Sequence, residues 1–164
     1  MEKIEENRIE DKASKPGAIH AMLIYVYSVF FISIVLGVSF DLLFKLDLLA
    51  NFKYSYLGMF IILFGTMLIY LAQEASARAG KIKEEENSTK AFAFGPYKYF
   101  RHPTYLGVFL MVLGFGMIIK SIFSILFILI TYLIVKLVFV KKEEKILEKK
   151  YGKIYLDYKK KVKM

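Results

Sequence analysis

Four long apolar blocks decide what this chain can fold into. Ile19 to Phe40 and Tyr54 to Ala72 carry no charge, Tyr105 to Ile119 is shorter, and Ser121 to Val140 is interrupted only by Lys136. A bilayer core takes about 20 helical residues to cross, and backbone inside it must satisfy its own hydrogen bonds. The blocks therefore predict an all-α polytopic membrane protein with about four transmembrane helices, near 19–40, 54–74, 104–119 and 121–140. Hydrophobic residues make up 57% of the 164, and the mean hydropathy of +0.45 is high for a soluble domain of this size. Acids and bases mix before the first block and no small-residue cleavage site follows it, so it is expected to be a retained span. No repeat, low-complexity stretch or second domain is evident, and residues 1–164 read as one domain. The absence of cysteine excludes disulfides and thiolate metal sites; no metal is expected.

Charge placement predicts the orientation. Lysine and arginine number four in residues 1–20, six in Ser76 to Pro103 and ten in Lys141 to Met164, against Lys45, Lys53 and Lys120 on the other side. Positive charge accumulates on the cytoplasmic side, so both termini and the 76–103 loop are expected there. The net charge of +9 suits anionic lipid at that face, and no nucleic-acid partner is expected.

The stretch GPYKYFRHPTYLG, Gly95 to Gly107, crowds turn-forming and polar residues against the third block. Pro103 suits the first helical position, where its missing N–H costs nothing, and it drives His102 out of helical geometry. The imidazole then sits at a helix mouth whose unpaired amides and dipole favour an anion, and Arg101 adds a guanidinium fork. An interface anchor is the competing reading, with Tyr97, Tyr99 and Tyr105 as an aromatic belt and Arg101 as a topology signal.

Little more than Lys120-Ser121 separates the third and fourth blocks, which predicts a tight helical hairpin. His102 lies 18 residues before this turn and Glu143 lies 23 after it, roughly 27 Å and 34 Å of helix. Both therefore emerge at one face, and Arg101 and His102 approach Glu143 and Glu144. The last segment, 141–163, repeats Leu147, Tyr151, Ile154, Tyr155, Tyr158 and Val162 at spacings of three and four, which predicts one cationic amphipathic helix. Such a helix could lie in the membrane interface. That leaves Glu143 and Glu144 without a purpose unless they face a cation, whether the adjacent Lys141, Lys142 and Lys145 or a ligand.

Together these two stretches resemble the isoprenylcysteine carboxyl methyltransferases and the related phospholipid methyltransferases of membranes. The first pattern is matched by Gly95, Pro96, Tyr97, Arg101, His102, Pro103, Tyr105 and Gly107; the second by Glu143, Glu144, Leu147, Tyr151, Gly152, Tyr155, Tyr158 and Val162. Ile154 places Tyr155 one residue later than in some members. The resemblance covers roughly Gly95 to the C-terminus and implies S-adenosylmethionine at the cytoplasmic membrane boundary. The acceptor would be lipid-like, an isoprenylcysteine-type carboxylate first. His102, Arg101 and Glu144 would be its catalytic residues. Tyr97, His102, Pro103, Tyr105, Leu106, Gly107, Glu143 and Glu144 would line the cofactor, His102 and Arg101 toward its carboxylate and a glutamate toward its ammonium. Gly107 would allow close approach of the ligand, and Gly114 and Gly116 would serve helix packing.

Lesser features read blandly. His20 is an interfacial histidine, Asp41, Lys45 and Asp47 a solvated outer connector, Glu84-Glu85-Glu86 a solvated loop, Asn87-Ser88-Thr89 a chance glycosylation pattern, and Lys136 a snorkelling lysine. Two other functions compete: an NADPH-dependent membrane sterol-type reductase, and a non-enzymatic polybasic adaptor.

Overall fold

The computed structural model describes residues 18–44, 55–85 and 94–162, with the side chains of 18–21 and 79–85 left aside. All regular structure in them is helical: α1 (Ala18–Phe44), α2 (Ser55–Glu85), a 3₁₀ turn (Gly95–Lys98), α3 (Pro103–Ile118), α4 (Ile122–Ile134), a π-helical stretch (Val135–Val140), α5 (Lys141–Tyr151) and α6 (Lys153–Lys161). Among the described residues, three segments are long and apolar enough to cross a membrane: Met22–Phe44, Ser55–Arg78 and the continuous rod Ile122–Tyr151. At 16 residues α3 is apolar but shorter, about 24 Å of helix. Glu84 and Glu85 belong to α2 rather than to the expected loop. His20 falls within α1, and its side chain lies outside the described residues, as do Lys45, Asp47, Glu86 and Asn87-Ser88-Thr89.

α2 packs along α3 and α1 along α4. The core is apolar and inter-helical: Val26 and Phe30 from α1, Tyr105, Val108 and Val112 from α3, Ile128 from α4 and Val135 beyond it. Phe109 stacks on Tyr132 with centroids 4.2 Å apart, tying α3 to α4. In lipid, apolar burial gains little and close packing must hold helices together. The α2–α3 seam shows how. Gly58 meets Gly114 and Gly65 meets Gly107, seven residues apart on both antiparallel helices; a Cβ on Gly65 would lie 2.7 Å from the Gly107 carbonyl oxygen. Gly114 packs as expected, while Gly116 faces Ile125 and Ile128 of α4.

Several polar side chains inside the bundle are paired across helices. Ser33 and Thr131 share a 2.5 Å hydrogen bond between α1 and α4, and Ser124 donates to the Ile34 carbonyl at 3.2 Å. Ser121 caps α4 by accepting from the Ser124 amide and donates to Asp41. Asp41 is therefore not part of a solvated connector: it sits in the last turn of α1 and pins that helix to the α3–α4 turn.

The rod Ile122–Tyr151 carries its buried residues at 124, 128, 131 and 135, a helical 4-3-4 spacing that would next reach 138–139 and 142. Lys142 is exposed instead, and Glu144 is buried. The π-helical stretch Val135–Val140 ahead of them widens the turn by an extra residue, which rotates the following helix and brings the two glutamates onto the inner face. Lys136, within that stretch, is exposed. The second departure is at Gly152. The expected single helix over 141–163 is two, broken where Gly152 adopts φ 54°, ψ −129°, a backbone state reserved for glycine. Nor does its apolar face lie free for the membrane interface. Tyr155, Tyr158 and Val162 are 1%, 3% and 6% exposed and pack with Leu147 and Tyr151.

The glycine seam generates a test. Gly65→Leu forces α2 from α3 and should destabilise the protein by at least the ~1–3 kcal/mol of a typical overpacked site, read as a lowered thermal midpoint in detergent. An unchanged midpoint would show that the two helices do not depend on backbone contact.

Candidate functional site

Three segments far apart in sequence meet at one end of the bundle. The first enters through the 3₁₀ turn, which Gly95 starts with φ 53° and Pro96 continues. His102 is the N-cap of α3, at φ −130°, ψ 63°, with Pro103 as first helical residue. This is the geometry the His-Pro pair predicts. The Leu106 amide already donates to the His102 carbonyl at 3.3 Å. The amides of Thr104 and Tyr105 remain as the first-turn donors without an intrahelical acceptor.

The second segment is the start of α5. Glu144 accepts from Arg101 Nη1 at 2.6 Å on one oxygen and from Lys159 Nζ at 2.8 Å on the other. His102 stands between the carboxylates, its Nε2 3.4 Å from Glu144 Oε1 and its Nδ1 3.5 Å from Glu143 Oε2. The third segment is α6, folded back by Gly152. Lys159 also donates to Glu148 at 2.7 Å, and Tyr158 donates to the Tyr97 carbonyl at 2.8 Å. With His102 protonated, three cations (Arg101, His102, Lys159) face three carboxylates (Glu143, Glu144, Glu148).

Burial works to lower the His102 pKa, but hydrogen bonds to Glu143 and Glu144 and their charges outweigh it and hold it above the ordinary 6.5. Hydrogen bonds to Glu144 and Glu148 likewise raise Lys159 above 10.5. Burial raises the Tyr97 hydroxyl. Arg101, His102, Glu143 and Glu144 are shielded, with side chains 11–20% exposed, while Lys159 and Glu148 at the rim are about a third exposed; attraction between charges strengthens as water is excluded.

The sequence-expected residues divide in this geometry. Arg101, His102, Glu143 and Glu144 come together, and Tyr97, Pro103 and Tyr105 adjoin them. The local lysines 141, 142 and 145 are not the glutamates' partners; all three are exposed. Gly107 does not open toward this cluster. A Cβ there would meet Ile69 and the Gly65 carbonyl, so its close approach is to α2. Leu106 is half-buried, and its amide is engaged in the helix. Lys159 escapes a reading of 141–163 as one helix, since 15 residues of straight helix would put it about 22 Å from Glu144. Gly152, a helix-stop residue, is the signal that finds it.

Residues 54–154 match the family described as phospholipid methyltransferase. The chain belongs to that family. The match takes in α2, to which no motif was assigned, and ends just before Tyr155, Tyr158 and Lys159. The phospholipid methyltransferases fall within the same group of membrane methyltransferases as the isoprenylcysteine enzymes, and they generally use S-adenosylmethionine. No curated protein and no solved structure matches the chain. The protein is thus an integral membrane protein of a methyltransferase family.

The residues fit that cofactor in one specific respect. The Tyr105 hydroxyl and Glu143 Oε2 are both buried without a well-formed hydrogen bond, and Tyr105 itself is 4% exposed. Buried polar atoms of this kind cost free energy until a partner arrives, and an ammonium would serve both.

His102 yields a pH test. Its stabilising contribution is complete below the unfolded pKa of about 6.5 and is lost as pH rises through the higher folded value. Thermal stability in detergent should therefore decline as pH rises past about 6.5 in the wild type, and His102→Gln should remove that step. A His102→Gln profile that follows the wild type would assign the decline elsewhere.

Proposed function

We propose that the protein transfers a methyl group from S-adenosylmethionine to a lipid-like acceptor reached from the bilayer. The observation that carries this reading is the charge cluster at the mouth of α3, which gathers both signs of charge and two buried oxygens without well-formed hydrogen bonds at one end of the bundle. When bound, the cofactor would supply an electrophilic methyl on a sulfonium, whose S–C bond breaks as the acceptor's bond to that carbon forms. The chain's own part is positioning and exclusion of water. The first-turn amides of α3 and the His102 imidazole suit the cofactor's carboxylate, and Glu143 suits its ammonium. Tyr105, one turn into α3, closes against Glu143.

The acceptor we favour is an isoprenylcysteine-type carboxylate. It is ionised already and needs no base, which agrees with His102: both of its ring nitrogens face carboxylates, which favours the imidazolium over a free base. A phospholipid amine is the second reading, favoured by the family match. It would have to lose a proton, and Glu143 is the group positioned to take it. The accompanying topology has α3 as a fourth crossing, in a tight hairpin with α4, within one domain. Both termini and the 76–103 region are cytoplasmic, with the exposed lysines of α5 and α6 against anionic lipid.

Titration of the purified protein with S-adenosylhomocysteine and with NADPH separates the rival functions. Binding of the first alone is expected; NADPH alone would support the reductase, and neither the adaptor. Radiolabelled methyl uptake by farnesylcysteine, set against phosphatidylethanolamine, then decides between the acceptors.

A further inference from the structure

Lys159 lies beyond the matched residues and makes two of the shortest ion pairs in the site. We propose that Lys159 is a positioning residue that, with Arg101, commits Glu144 to holding the three segments together and so leaves Glu143 as the carboxylate that meets the ligand's ammonium. The second half rests on the methyltransferase reading.

The two adjacent glutamates are chemically alike but differently engaged. Glu144 has Arg101 on one oxygen, Lys159 on the other and His102 nearby. A carboxylate has about four lone-pair positions, so little capacity remains for a fourth cation. Glu143 has the His102 ring at 3.5 Å as its one cationic partner, and its buried Oε2 and the Tyr105 hydroxyl lie against each other without a well-formed hydrogen bond. Lys159 creates much of this asymmetry. It reaches back across the Gly152 break to bridge Glu144 and Glu148, one helical turn apart, which fixes Nζ between two anions. The groups set against His102 are Glu143 and Glu144 from α5 and Tyr105 from α3, and Arg101 from its own loop and Lys159 from α6 reach it through Glu144. Taking Lys159 away would hand more of Glu144 to His102 and remove a neighbouring positive charge. Both changes favour the protonated imidazole.

The ring resonances of His102 report this without any cofactor. The chain has two histidines, so a His20→Gln background leaves one signal to titrate by NMR in detergent. Lys159→Met should move the His102 pKa upward, and Lys159→Arg should restore it. In parallel, Glu143→Gln should weaken S-adenosylhomocysteine binding by about tenfold or more, the scale of a lost hydrogen bond to a charged group. Lys159→Met should weaken it as well, and Lys159→Arg should recover most of the loss. If Lys159 merely anchors α6, Lys159→Met lowers the thermal midpoint and leaves the His102 pKa where it was, which overturns the positioning role. Binding by Glu143→Gln as tight as wild type overturns the division between the glutamates. A wild type that does not bind S-adenosylhomocysteine overturns the methyltransferase reading and Glu143's role with it, while the His102 titration still decides the hold of Lys159 on Glu144.

Discussion

The Glu144 carboxylate is the contact on which the charged end of the helical bundle depends. It is 9% exposed and receives Arg101 from the loop before α3 and Lys159 from α6. Breaking one side of a buried pair leaves an uncompensated charge and typically costs about 3–5 kcal/mol. A single side chain thus joins segments that are 43 and 15 residues away from it. Tyr158 adds a second tie, donating to the Tyr97 carbonyl at 2.8 Å, while Tyr155, Tyr158 and Val162 pack with Leu147 and Tyr151.

Two local irregularities make that contact possible. The π-helical stretch Val135–Val140 turns the helix so that Glu143 and Glu144 face inward, and Gly152 reverses the chain so that Lys159 comes back to them. Both depart from regular helix, and both lie within 10 residues of the glutamates they serve. Strain or irregularity of this kind concentrates where a site must be built. The bundle below is regular by comparison, with backbone contact between glycines on one seam and aromatic and hydroxyl contacts between α1 and α4.

How much of this was legible follows from the range over which each signal acts. Apolar block length is a local property, and it marks where the crossing helices begin within a few residues, although α2 runs on to Glu85 and the rod to Tyr151, well past the apolar stretches. The His102-Pro103 N-cap is equally local, since proline restricts its neighbour directly. The meeting of Arg101 and His102 with Glu143 and Glu144 was reachable by counting helical rise on both sides of a short turn. The hidden parts have other causes. A π-helical register shift has no residue that marks it, so Glu144 rather than Lys142 as the buried position cannot be read from periodicity. The inward side of Gly107 is set by its partner Gly65 across the seam, not by its neighbours. Lys159 required a backward fold at Gly152, and an unbroken spacing of apolar residues across that glycine concealed it.

A double-mutant cycle on Arg101 and Glu144 tests the central claim most directly. Unfolding of wild type, Arg101→Met, Glu144→Gln and the double variant would be measured in one detergent. A coupling energy well above the ~0.2–1 kcal/mol of exposed pairs is the predicted result, because the pair is shielded and ties two segments. Additive losses from the two single substitutions would contradict the account.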